Sequence, residues 1–164
     1  MGVRSITIPC SSNGFAVAQA WLEGYTNRLE RNVNELINRM LQDGEMYAAN
    51  YLGHVDTGET LSTIMGYREG NTGILLVGGN AIWIEFGTGC ELNNTASHPK
   101  MAELNMSLWG TYGEGHGADA GGWYYPDDDG TWKHTRGIPM NKFFYNTAQM
   151  LRREYVRIAH EVFG

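Results

Sequence analysis

The sequence predicts an α+β protein, with an antiparallel sheet of about four to five strands packed by a long N-terminal helix and a C-terminal helix. Three observations carry this. Apolar residues recur at helical spacing from Val17 to Leu52. Short runs rich in Ile, Leu, Val and Thr then alternate with Gly-Asn turns, as in an antiparallel meander. A second amphipathic stretch, from Met140 to Val162, closes the chain.

Val3, Ile6 and Ile8 precede Pro9, which reads as a short edge strand or a loose arm. Ser12 or Asn13 offers an N-cap. From there Val17, Trp21, Tyr25, Leu29, Val33, Ile37, Met40, Leu41, Ala48 and Leu52 mark one helix face, while Asn27, Arg28, Glu30, Arg31, Glu35 and Asn38 make the wet side. A helix of about forty residues runs ~60 Å, longer than a domain of this size is wide. It either kinks near Gly44 or projects to pack on something else. Val55-Asp56-Thr57-Gly58 supplies the turn that ends it.

Leu61 to Gly66, Gly73 to Val77 and Ala81 to Phe86 read as strands, separated by Glu69-Gly70-Asn71 and Gly78-Gly79-Asn80. In the last strand Ile82 and Ile84 share one face, and Trp83 and Glu85 the other. An irregular glycine-rich loop spans 87–122, with one short helix expected from Pro99 to Trp109. Trp123 to Tyr125 and Thr131 to His134 flank Pro126-Asp127-Asp128-Asp129-Gly130, the pattern of a hairpin with a Pro-Asp turn. The final helix begins at Met140 and carries Phe143, Phe144, Ala148, Leu151, Tyr155, Ile158, Ala159 and Val162 as its apolar stripe.

At 164 residues and 42 % hydrophobic content, the chain reads as one domain, 1–164, with one core. The formal charge of −6 argues against a direct grip on nucleic acid backbone. No apolar run approaches the ~18 residues of a membrane span, and Met1 to Pro9 lacks the apolar region of a secretory signal. Cys10 and Cys90 read as two idle or buried thiols rather than a disulfide.

Reactive constellations are weak. The Asp127-Asp128-Asp129 run lacks the alternating ligands and distal glutamate of a calcium loop and reads as a solvated turn. No two of His54, His98, His116, His134 and His160 stand at zinc-site helical spacing. The Gly-x-Ser-x-Gly elbow and the Gly-Lys-Ser/Thr phosphate loop are both absent. Cys90 with His134 as base is the only nucleophile pairing worth naming, and the bland reading outweighs it. A carboxylate pair drawn from Glu85, Glu114, Asp119 and Asp127, with Trp109, Trp123 and Trp132 as sugar-stacking platforms, leaves one enzymatic alternative: a glycan-acting cleft in the Trp109–Trp132 segment. A strand-edge glutamate and solvated loops weigh more. A monomeric regulatory binding module is the other alternative. The segment from Gly110 to Gly130 holds acids and no Lys or Arg, a surface that repels a passing polyanion.

Three segments, in order, carry a resemblance to a known family. The long helix runs into Val55-Asp-Thr-Gly-Glu-Thr-Leu-Ser-Thr-Ile64, Ile74 to Gly89 contains Ala81-Ile-Trp-Ile-Glu-Phe-Gly-Thr88, and His134-Thr-Arg-Gly-Ile-Pro-Met-Asn-Lys-Phe-Phe144 with Ala148 leads into the last helix. Across about residues 13 to 163 the chain resembles the tail-completion or head–tail joining (neck, minor tail) proteins of long-tailed phages. Two features depart from the family pattern: Lys142-Phe143 stands where a Pro-Phe pair is usual, with the proline at Pro139, and the 87–122 insertion is long.

The resemblance implies a non-enzymatic virion protein, made in the bacterial host cytoplasm, that forms a homo-oligomeric ring at the head–tail junction. It implies connector or portal-side proteins and tail tube or terminator proteins as partners, genomic DNA only as passing cargo, and no membrane. No catalytic, cofactor or metal residues come with it. Its motif residues here are Thr57, Gly58, Leu61, Glu85, Phe86, Gly87, Thr88, His134, Gly137, Pro139, Phe143 and Ala148, which are expected to specify the fold. Gly58 and Gly87 would permit turns, Phe86 and Phe143 would fill the helix–sheet core, and Glu85 and Thr88 would anchor the turn after the strand.

Overall fold

The computed structural model describes residues 6–53, 58–88, 98–104 and 122–164. Helix α1 (Ser12–Leu52) is followed by a single turn, α2 (Glu59–Ser62), and strands β1 (Met65–Glu69) and β2 (Thr72–Leu76). Helix α3 (Ala81–Phe86), strands β3 (Trp123–Pro126) and β4 (Trp132–Thr135), and helix α4 (Phe143–Phe163) complete the order. The mixture of helix and sheet, and the long helix at each end, match expectation. The single sheet of four to five strands does not. The described strands form two separate antiparallel pairs, β1–β2 and β3–β4.

Helix α1 starts one residue earlier than the sequence suggested. Ser11 is the N-cap, and its Oγ accepts the N–H of Gly14 at 3.1 Å. The helix ends at Gly53, whose φ of +69° suits a residue without a Cβ. Over its C-terminal half α1 packs on α4 and on the β1–β2 hairpin. Glycines permit that closeness. A Cβ on Gly73 would lie 3.1 Å from Ile37 Cγ2, and one on Gly44 would lie 3.3 Å from both Leu75 and Leu151. Tertiary contacts reach from Leu52, whose carbonyl accepts from Asn141, past Arg39, which meets Glu161 in the last turn of α4 at 3.3 Å, to Ile37 beside Gly73. The N-terminal half extends past this body, with Phe15, Val17, Leu22, Tyr25 and Leu29 exposed. The projecting alternative is the one realised.

The β1–β2 hairpin forms as the Gly70-Asn71 turn predicts, with Glu69 opposite Thr72 and Met65 opposite Leu76. Two neighbouring expectations are corrected. The stretch from Leu61 to Gly66 is not one strand: Glu59–Ser62 is a helical turn, and Thr63 Oγ1 caps it by donating to Thr60 O at 2.7 Å. The stretch from Ala81 to Phe86 is helix, not strand. Gly78-Gly79-Asn80 therefore turns into α3 rather than into a third meander strand, and the Asn80 carbonyl accepts from Ile84 N–H at 3.1 Å. Of the buried Ala81, Ile84, Glu85 and Phe86, the first three follow helical spacing, whereas the alternation of Ile82 and Ile84 suggested a strand; Ile82 is exposed.

The core gathers where these elements meet. Ala48 and Leu52 of α1, Ala81 and Ile84 of α3 and Phe143 of α4 form the buried cluster, edged by Ile64, Leu75 and Val77. The β3–β4 hairpin forms as expected, with Tyr124 opposite His134. Of the expected helix from Pro99 to Trp109, residues 99–104 form turns and the remainder lies outside the described residues, as does most of the 87–122 loop.

Candidate functional site

Helix α4 begins three residues later than expected, and the cause lies in α3. The N–H groups of Asn141 and Lys142 donate to the carbonyls of Ile84 and Glu85, at 3.0 and 3.2 Å. Those carbonyls belong to the last turn of α3 and have no partner within a helix this short. The chain must cross the end of α3 before it can turn into α4. Lys142 takes φ +60° at the corner, the one non-glycine residue with positive φ among those described.

The start of α4 poses the reverse problem. Its N-cap position, Lys142, offers no side-chain acceptor. The orphan N–H groups are met by Glu85. One carboxylate oxygen accepts from Phe144 N–H at 2.7 Å, and the other from Tyr145 N–H at 2.9 Å. A carboxylate suits the positive end of the helix dipole. The second oxygen also meets His98 Nε2 at 2.8 Å. His98 Nδ1 in turn accepts from Lys100 N–H at 3.0 Å, which leaves the ring proton on Nε2, pointed at Glu85. Phe86 lies against the His98 ring with centroids 4.3 Å apart, and the Tyr145 ring meets it edge-on at 5.5 Å. Glu85, Phe86, Thr88 and His98 are all buried.

Gly87 and Thr88 complete the junction. Gly87 holds φ +72° and ψ 167°, a conformation restricted to glycine, and turns the chain back after α3. Thr88 then pairs twice with Ile138: its N–H donates to the Ile138 carbonyl and its Oγ1 accepts the Ile138 N–H, both at 2.9 Å. The Glu85-Phe86-Gly87-Thr88 motif and the approach to the last helix are thus hydrogen-bonded to each other at both ends.

The remaining motif residues fall in different places. Thr57 lies outside the described residues. Gly58 precedes α2 with φ +66°. Leu61, on α2, is exposed. His134 is exposed on β4, its ring 4.8 Å from that of Tyr124 and remote from the junction in hydrogen bonding. Gly137 has φ +96°, and its N–H donates to Thr135 Oγ1. Pro139 is exposed, Phe143 is 1 % exposed at the centre of the core, and Ala148 sits on the outer side of α4. Phe86 packs on His98 rather than within the central cluster.

Sequence reasoning singled out His134 and missed His98. No local signal marks it. Glu85 was singled out, but as the anchor of a turn after a strand; its role as the cap of a helix far along the chain is new.

The junction is chemically closed. Both Glu85 oxygens are engaged, and among the described residues no buried side-chain polar atom lacks a partner. Beside it lies an apolar hollow of about 280 Å³, lined by Leu75, Val77, Ile82, Phe86 and Phe144. Asp127 and Lys133 pair across the β3–β4 hairpin, and Asp129 accepts the Thr131 N–H and hydroxyl. These contacts, and first the Lys133 and Thr131 hydrogen bonds, hold both carboxyls below the ordinary carboxylate range. The Pro-Asp run is a hairpin turn. Glu114, Asp119 and Cys90 lie outside the described residues; Cys10 is a free, exposed thiol. Among the described residues no cluster of three His, Cys, Asp or Glu side chains could hold a metal, and no helix is long and apolar enough to cross a membrane.

No family model, curated protein or solved structure matches this chain.

Proposed function

We propose that the protein is a structural virion subunit that assembles into a homo-oligomeric ring at a phage head–tail junction. Connector or portal-side proteins would adjoin it on one side and tail tube or terminator proteins on the other, with DNA only passing through.

The observation that carries an assembly role is the α1 arm. It leaves the body with Phe15 69 % and Leu22 56 % exposed. Large apolar side chains repeated along a projecting helix are the mark of a surface that a partner covers. The place of assembly rests on the resemblance in the motif segments. Two of these, centred on Glu85–Thr88 and on Ile138–Phe144, meet through side-chain and backbone hydrogen bonds, as residues that specify a fold should. Among the described residues each sheet has two strands, and their outer edges are further candidate surface for heterologous contacts of the kind that close a ring.

The test is mass in solution by light scattering after size exclusion, with the protein alone and after adding portal or tail proteins. A discrete species many times 18.3 kDa, ring-shaped on imaging, is expected alone or on the template. Failure to assemble under every such condition would sink the proposal.

A further inference from the structure

Along the α1 arm runs a stripe of exposed side chains, Phe15, Leu22, Tyr25 and Leu29, with the half-buried Ala18, Asn32 and Leu36 between and beyond them. Phe15, Ala18, Leu22, Tyr25, Leu29, Asn32 and Leu36 alternate three and four residues apart, a seven-residue repeat with Phe15, Leu22, Leu29 and Leu36 at the first core position and Ala18, Tyr25 and Asn32 at the second. A strict seven-residue seam is the pattern of a helix that wraps another helix. The stripe lies beside, and runs on from, the face that packs in the body, where Met40, Leu41, Ala48 and Leu52 are half-buried or buried. A lone helical arm in water has little to hold it, and Gly24 within it weakens it further.

We infer that the arm is covered by the arm of a second copy of this chain, running antiparallel, with Phe15 of each opposite Asn32 of the other. The residues select this occupant and this register. Antiparallel pairing sets each first-position residue against a second-position one. Ala18 then meets the partner's Leu29, so the one small residue of the seam faces a large one, and Leu22 meets the partner's Tyr25, so the two tyrosines are kept apart. In a parallel pair Ala18 would face the partner's Ala18 and Tyr25 the partner's Tyr25, leaving one layer hollow and the next crowded. The flanking positions agree. Antiparallel pairing in this register brings Arg28 across to the partner's Trp21, whose indole already stacks on Tyr25 at 5.8 Å and offers its other face to a guanidinium. A slip of one repeat one way puts Arg28 against the partner's Arg28, a like-charge contact. The overlap covers about eighteen residues, ~27 Å of helix.

The contact is two-fold and closes on itself at two copies. It deepens the assembly reading by naming what covers the arm of the free subunit, and it is testable apart from the ring. A ring that never forms leaves the arm dimer standing, and a ring built from monomers would sink the arm dimer alone.

The test uses the full chain with Cys10→Ser and Cys90→Ser as background. Light scattering should give twice the monomer mass. Adding Phe15→Cys and Asn32→Cys together should give a covalent dimer on oxidation, whereas Phe15→Cys alone should not, because the two copies of position 15 then lie at opposite ends of the overlap. A second variant, Leu22→Glu with Leu29→Glu, should return the mass to that of a monomer while the body still unfolds cooperatively. A monomer at all concentrations in the unmutated chain, a covalent dimer from Phe15→Cys alone, or a dimer that survives the glutamate variant would each overturn the inference.

Discussion

The Glu85 carboxylate stands 2.8 Å from His98 Nε2, and neither residue is more than 7 % exposed. Through its remaining lone pairs the same carboxylate holds the first turn of α4. One side chain therefore ties α3, the segment around His98 and the C-terminal helix into a single junction. A buried carboxylate is costly unless its oxygens are filled, and here three donors fill them.

Glu85→Gln tests that statement with little change of shape. The amide replaces one acceptor by a donor that faces an N–H, and it removes the charge at the helix N-terminus. Hydrogen bonds to a charged group are worth about 1.5–3 kcal/mol each, so a loss of about 2–4 kcal/mol is expected in urea unfolding. A loss under about 1 kcal/mol would mean that the carboxylate is not what holds the junction.

Thr88→Val removes one hydroxyl at nearly constant volume from a side chain that is 3 % exposed. It leaves the Ile138 N–H without its acceptor. The expected cost is about 1–2 kcal/mol, and Thr88→Ser should recover most of it. If serine were as costly as valine, the methyl group's packing rather than the hydrogen bond would be responsible.

How much of this could be read from the sequence depends on range. Helix α1 and the two hairpins are local: Val33 to Leu52 keeps one period, Gly70-Asn71 sets one turn, and Pro126 to Gly130 sets the other. Ala81 to Phe86 is too short for periodicity to decide, and Ile82-Trp83-Ile84 imitates a strand. The single sheet failed with it: the meander lost its third member, and the four described strands form two separate pairs. The junction is a long-range object. Glu85 reaches Phe144 across 59 positions, and nothing near Glu85 announces a helix end in need of an acceptor. Lys142 did not announce it either: the sequence places the helix start at Met140, and Asn141, a ready capping residue, stands directly before Lys142.

Two backbone corners should respond in opposite directions. Gly87 occupies a region closed to residues with a Cβ, so Gly87→Ala should destabilise by about 1–3 kcal/mol. Lys142 sits at φ +60° with a side chain, so Lys142→Gly should be neutral or stabilise by up to about 1 kcal/mol. Thermal unfolding of both variants is the measurement. A large loss for Lys142→Gly would show that its side chain contributes more than its backbone strain costs.

The β3–β4 hairpin should loosen in acid before the body does. Asp127 is held below the ordinary carboxylate range by its hydrogen bond with Lys133, and Asp129 by the hydroxyl and N–H of Thr131. A depressed folded value means that the unfolded hairpin binds the proton more readily. The carboxylates' contribution is therefore complete above the ordinary carboxylate range and is lost as pH falls through the depressed values. Lys133 is raised by Asp127, so its contribution is complete below the ordinary lysine range and fades only as pH rises through the raised value. Between those limits the Asp127–Lys133 pair and the Asp129 turn keep their full contribution. Its exposed position keeps the effect local, so the readout is the amide resonance of Thr131 and the cross-strand contact between Tyr125 and Lys133 by NMR. Asp127→Asn with Asp129→Asn should show the acid-state spectrum of the turn already at neutral pH. A turn that keeps its native resonances in that variant, or that titrates within the ordinary carboxylate range, would show that these contacts do not hold it.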